Sequence, residues 1–176
     1  MSKLKELTWE NHQRAERTEF VRKLLKGLTP EEYHKYLYNQ YMIYSILEDA
    51  AGRVLPELNN IRRAERIYAD LRELEKEYTI STTPELLMPV VREYERHVIT
   101  LDRAGILAHI YVRHFGDMYG GQMIKKRNPG SGTMYDFDNV EELKTKIRSM
   151  LNDDMADEAN RCFEFAMELF EELNHD

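Results

Sequence analysis

The stretch Leu107–Lys126, LAHIYVRHFGDMYGGQMIKK, sets three glycines, Gly116, Gly120 and Gly121, inside a strongly helical pattern. The apolar spacing around it predicts a helix over about 104–127. A glycine inside a helix costs roughly 1 kcal/mol relative to alanine. Three so close together cost on the order of a few kcal/mol, a large part of a domain's stability of about 5–15 kcal/mol. Something should offset that loss. Gly116 and Gly120 are four apart, so both bare the backbone on one helix face. A flat ligand or a second helix can approach closely there, and the helix can bend. Arg113 and Asp117, also four apart, lie one step around, where they pair with each other or share waters. Spacing leaves both uses open.

The same period continues outward. The chain of 176 residues fits one domain, 1–176, large enough to build a core around a sizeable ligand. Apolar residues recur at three and four throughout, and strand patterns are almost absent, which makes the fold class all-α. Gly and Pro, 8 and 5 in number, fall mostly at helix ends, as long helices require. The predicted helices run over 2–16, 18–26 (closed by Gly27), 29–52, 60–76, 83–97 and 104–127. Two more lie between Val140 and Leu173, broken near Asn152-Asp153-Asp154. Thr29-Pro30-Glu31-Glu32 is a capping box with proline at the first helical position. Asn128-Pro129-Gly130-Ser131-Gly132 is the clearest loop.

Charge narrows the function. A net charge of −7 argues against a broad nucleic-acid surface, because phosphate binding rests on Lys and Arg. Cys162 is the only cysteine, so no internal disulfide forms and a reducing compartment fits. The polar start MSKLKELTWEN has no signal-peptide core, and no stretch approaches the ~20 apolar residues of a membrane span. The expectation is a soluble, cytoplasmic protein, most simply a monomer.

Among six histidines, His12 stands out because its helix face also carries Trp9 and Lys5. A cation two turns from an imidazole suits a ligand with a metal centre and an acidic edge. Trp9 packs on such a ligand or fills the core. Glu31 and His34 form half of a di-iron signature, but a second Glu-x-x-His pair is missing. Lys144 and Arg148 share a face, either as solvated surface charges or as partners for carboxylates.

The segment YVRHFGDMYGGQMIKK, Tyr111–Lys126, resembles the distal-helix signature of the heme oxygenases, usually Y-x-R-Y-L-G-D-L-S-G-G-Q. HQRAERTEFVRKLLKG, His12–Gly27, is similar to the segment that supplies the family's proximal heme ligand. NQYMIYSILEDA, Asn39–Ala50, and the closing ELFEEL match weaker patterns in the expected order. The resemblance implies a single-domain helical fold that holds heme between a proximal N-terminal helix and a glycine-kinked distal helix.

By that resemblance His12 is the axial iron ligand and Glu16 the glutamate near it. Gly116, Gly120 and Gly121 border the heme, and Asp117 organises distal water with Arg113 and Tyr44. Tyr111, Lys144, Arg148 and Lys5 match residues that meet the propionates. The implied reaction opens heme at the α-meso carbon to biliverdin IXα, carbon monoxide and ferrous iron, with an iron-bound hydroperoxide as oxidant. It consumes dioxygen and external electrons, from a ferredoxin in soluble relatives, and a bilin reductase can follow. Three positions depart from the pattern. Trp9 stands where some relatives carry a second lysine, Tyr119 replaces a small serine, and Ala166 replaces an asparagine of the distal network. Two rivals share this fold: a heme or tetrapyrrole carrier, and a thiaminase-like or di-iron oxidase relative.

Overall fold

The computed structural model describes residues 2–175, and their regular structure is helical. Nine α-helices follow in order among the described residues: α1 Leu4–Glu16, α2 Glu19–Lys26, α3 Pro30–Val54, α4 Ala64–Tyr78, α5 Pro89–Val98, α6 Arg103–Ile110, α7 Gly116–Arg127, α8 Val140–Met150 and α9 Ala156–His175. The all-α expectation holds. A π-helical turn, Tyr111–Phe115, joins α6 to α7, so the glycine segment is one rod with a widened middle.

Local chemistry sets the helix ends. The Thr29 hydroxyl accepts from Glu32 N (3.2 Å) and the Glu32 carboxylate from Thr29 N (3.0 Å), completing the capping box that starts α3. Gly27 closes α2 at φ +113°, and a Cβ there would stand 2.5 Å from the Arg127 carbonyl. Only glycine lets the ends of α2 and α7 meet this closely. Asn128 ties the junction, donating to Leu24 O and Ile124 O and accepting from Leu28 N.

Two predicted starts move. Residues 84–86 make a 3-10 turn, and α5 begins only at Pro89. Met88 is extended (ψ 146°) because a residue preceding proline is steered out of the helical region. The helix expected from residue 60 begins at Ala64, behind a 3-10 segment Pro56–Ile61.

The long α3 is the spine, packing on α4, α5 and α6, while α9 packs on α1, α2, α5 and α6. Leu37, Leu47, Ile67, Leu74, Val91, Ile110 and Leu169 are fully buried between them. At about 25 cal/mol per Å2 of apolar surface, each such side chain contributes roughly 1.5–3 kcal/mol. One buried carboxylate fixes the distal helix to this frame. Glu48 of α3 accepts from Arg63 N (2.6 Å), Ala64 N (3.0 Å) and His114 Nε2 (2.8 Å). Burial alone would raise its pKa, but these hydrogen bonds, His114 first, bring it below the usual carboxylate value.

Candidate functional site

The three glycines do different things. A Cβ built on Gly116 or Gly120 meets nothing within 4 Å, so both open onto free space. A Cβ on Gly121 would collide with the Tyr135 ring, and Gly121 is buried. Gly116 and Gly120 thus bare one face, as their spacing requires. Gly121 permits close packing on the other side, away from the face where the resemblance implied a ligand contact.

Asp117 lies beside the open face. Its Oδ2 accepts a short hydrogen bond from the Tyr44 hydroxyl, and the Tyr44 ring stands edge-on to His114 at 4.9 Å. Burial raises the Asp117 pKa to about 6, against the Tyr44 hydrogen bond and the electrostatic pull of His114, Arg113 and Arg63, which lower it. Burial, and next the Asp117 charge, push the Tyr44 hydroxyl well above its usual value, so it remains a donor.

Arg113 does not pair with Asp117 among the described residues. It donates through Nε to the Tyr94 hydroxyl (3.2 Å), and its guanidinium lies 4.6 Å from the Tyr94 ring centre. The π turn containing Arg113 widens the helical step, so the four-residue spacing no longer stacks the two side chains. Arg113 Nη2, Gln40 Oε1, Tyr33 Oη and His114 Nδ1 are buried without a protein partner. Orphaned polar atoms are costly unless water or a ligand satisfies them.

His12 is 40% exposed on its side chain, and its Nε2 lies 2.7 Å from Glu16 Oε1. Trp9 stacks on the His12 ring (5.2 Å, 11°) and Phe163 of α9 meets it edge-on (5.7 Å, 72°). Trp9 is itself 44% exposed, so it braces the imidazole rather than filling the core. Lys5 lies over Trp9, 5.8 Å from the ring centre.

A cationic cluster forms at α8. Lys144 Nζ sits 3.8 Å from the centre of the Tyr119 ring, and Arg148 donates to the Tyr119 hydroxyl. Phe115 touches Tyr119 and Tyr111, which carries the aromatic run from Tyr119 back to Tyr111. Tyr119, 56% exposed, thus holds both cations at the rim. Lys5 stays with Trp9 instead of joining this cluster. Ala166 is partly buried on α9, next to Phe165, which packs on Tyr94. His34 turns to Glu75 Oε2 (3.2 Å) and Thr82, and it joins no metal-binding cluster among the described residues.

Sequence spacing missed Tyr94, Glu48, His114 and Gln40, which reach the site from α5, α3 and the π turn. Their lone aromatic and polar positions carry no local pattern. The helical period over 29–52 and 83–97 marked helices there and no partners.

The heme oxygenase family model matches residues 1–172. The chain belongs to the heme oxygenase family. It is 30% identical to heme oxygenase 1 of Synechocystis sp., over 98% of this chain and 83% of that protein. It is 29% identical to heme oxygenase 2 of Rattus norvegicus, over 97% of this chain. The chain spans only 64% of the length of that rat protein. The fold superposes on the crystal structure of heme oxygenase-1 from Synechocystis in complex with heme at a TM-score of 0.82. That match has 25% identity and covers 98% of this chain and 90% of that one. Heme oxygenase from Leptospira interrogans superposes at 0.80, with 23% identity over 95% and 96% of the two chains. No helix of the described residues is long and apolar enough to cross a membrane.

Proposed function

We propose that this chain is a heme-degrading oxygenase, opening heme at the α-meso carbon to biliverdin IXα, carbon monoxide and ferrous iron. The observation that carries this is the open face at Gly116 and Gly120 with the Asp117–Tyr44 pair at its side. Bound heme supplies the dioxygen chemistry, given electrons.

The residues fit a heme. His12 is accessible, and Glu16 within hydrogen-bond reach of its ring is the kind of carboxylate partner that orients metal-ligating histidines. Lys144 and Arg148, with the Tyr119 hydroxyl, form a donor set suited to propionates. Tyr111, reached through Phe115, and Lys5, set over Trp9, are the further propionate contacts of this reading. Gly116 and Gly120 keep acid–base side chains away from the iron. Asp117, its pKa raised by burial to about 6, holds and releases a proton through water, and Tyr44 orients its carboxyl. Arg113, fixed by Tyr94, keeps an unpaired guanidinium N–H for that water. A carrier on the same fold would need His12 and the cations but no group poised to move a proton.

We propose further that a ferredoxin-class protein donates the electrons, that a bilin reductase acts downstream, and that the protein is a cytoplasmic monomer. The acidic, helical surface without a membrane helix among the described residues is compatible with a soluble donor. Purified protein mixed with hemin should give a one-to-one complex with a histidine-ligated Soret band. Reduced ferredoxin and oxygen should replace that band with a biliverdin spectrum. Stable heme after many reductant equivalents would overturn the activity and leave a carrier. His12→Ala should lose the histidine signature, and unchanged ligation would remove His12 from the iron.

A further inference from the structure

Three helices bring together His97 (α5), His109 (α6) and Glu158 (α9). His97 Nε2 lies 2.7 Å and His109 Nε2 2.8 Å from the same oxygen, Glu158 Oε2. The three ligand atoms lie within 4.8 Å of one another. His109 is fully buried, whereas His97 and Glu158 are about one quarter exposed, which gives an entry path from solvent. The Tyr94 hydroxyl stands 2.7 Å from His109 Nδ1 and holds the ring so that Nε2 points into the cluster. An outer hydrogen bond on the second ring nitrogen is how metal-ligating histidines are oriented. His12–Glu16 and His34–Glu75 each offer one imidazole, while this cluster offers two from different helices.

We infer that His97, His109 and Glu158 form a binding site for a divalent transition metal ion, of the class of Zn2+ or Fe2+. Two imidazoles with one carboxylate select against Mg2+ and Ca2+, which take oxygen ligands. The same three ligand types hold catalytic zinc and non-heme ferrous iron, with solvent at the open positions. Entry of the ion displaces the hydrogens now shared between the imidazoles and the carboxylate. Metal–ligand bonds of about 2.0–2.2 Å set neighbouring ligand atoms about 3.3 Å apart in a tetrahedral site. Glu158 must therefore withdraw by roughly half an ångström, which its partly exposed position on α9 allows. The site stands without the proposed heme chemistry. If that chemistry holds, ferrous iron set free from heme is a cation that this ligand set accepts.

The test uses the full, metal-free, heme-free chain. Calorimetry should show one Zn2+ bound per chain, and Co2+ should give the visible ligand-field band of a nitrogen- and oxygen-ligated ion. His97→Ala should weaken Zn2+ binding by no less than the roughly 10–100-fold that loss of an outer-shell partner costs. Glu158→Gln should do the same. His12→Ala, checked for an unchanged circular dichroism spectrum, should bind Zn2+ as the wild type does. Three results would each overturn the site: no ion bound by the folded wild type, equal binding after both cluster substitutions, or binding lost with His12.

Discussion

The α1 helix and the distal rod from α6 to α7 work by opposite means. On α1 two neighbours of His12 come from its own helix, Trp9 one turn before and Glu16 one turn after, and Phe163 meets it from across the interface. The helix is regular and the imidazole half open to solvent. On the distal rod the regular pattern is broken twice, by a π turn and by bare glycines, and the polar groups beside it come from distant elements. Tyr44 arrives from α3 and Tyr94 from α5 to hold Asp117 and Arg113. Holding a ligand takes a few local contacts, whereas steering a reaction next to it takes groups placed by the whole fold. The stability given up at Gly116 and Gly120 leaves that face bare for the proposed ligand.

That contrast can be sharpened with substitutions on the rod, and Asp117 should give the largest effect. Its native pKa of about 6 lies above the ordinary 3.8, so the folded form holds the proton more tightly than the unfolded chain does. The penalty for ionising it is absent below about pH 4 and complete above about pH 6. Asp117→Asn should thus gain stability over the wild type as pH rises through this window. The gain is as much as about 3 kcal/mol, at about 1.36 kcal/mol per pH unit. Denaturant unfolding at pH 4 and pH 7.5 measures it, and a constant difference between the two proteins would show that Asp117 carries no such strain. In heme turnover the same variant should retain heme and lose biliverdin yield.

Gly121→Ala should come next, destabilising the chain by about 1–3 kcal/mol because its Cβ has the Tyr135 ring in the way. Gly116→Ala and Gly120→Ala should have the smallest effect and the opposite sign. With free space around the new methyl, each should stabilise the heme-free protein by about 0.5–1 kcal/mol through helix propensity. Melting temperatures of the three alanine variants side by side would merge the two faces into one if all moved the same way.

Much of the fold was legible, because the 3.6-residue period, the Thr29–Glu32 box and Gly27 are local signals with local outcomes. The site was legible where it is local too. His12, Trp9 and Glu16 lie on one helix, and Gly116 with Gly120 share a face by spacing alone. The partners of Arg113 were not legible, since the π turn changes which residues stack and Tyr94 joins from α5. Tyr119 was visible as a departure from the family pattern. Its role in gathering Lys144 and Arg148 depends on where α8 packs, which no spacing within α7 encodes. Gly121 was grouped with its neighbours because adjacent glycines look alike in sequence, although helical geometry turns it toward Tyr135.

The most direct test of the open face is hemin-induced stabilisation, compared between the wild type and Gly116→Leu. A leucine Cβ there meets nothing in the heme-free protein, and the side chain beyond it takes up space that a flat ligand needs. Hemin should raise the melting temperature of the wild type, as any ligand of the folded state does. It should leave Gly116→Leu, equally or more stable without heme, unchanged. An equal hemin-induced rise in both proteins would contradict the account, because heme would then not lie against Gly116.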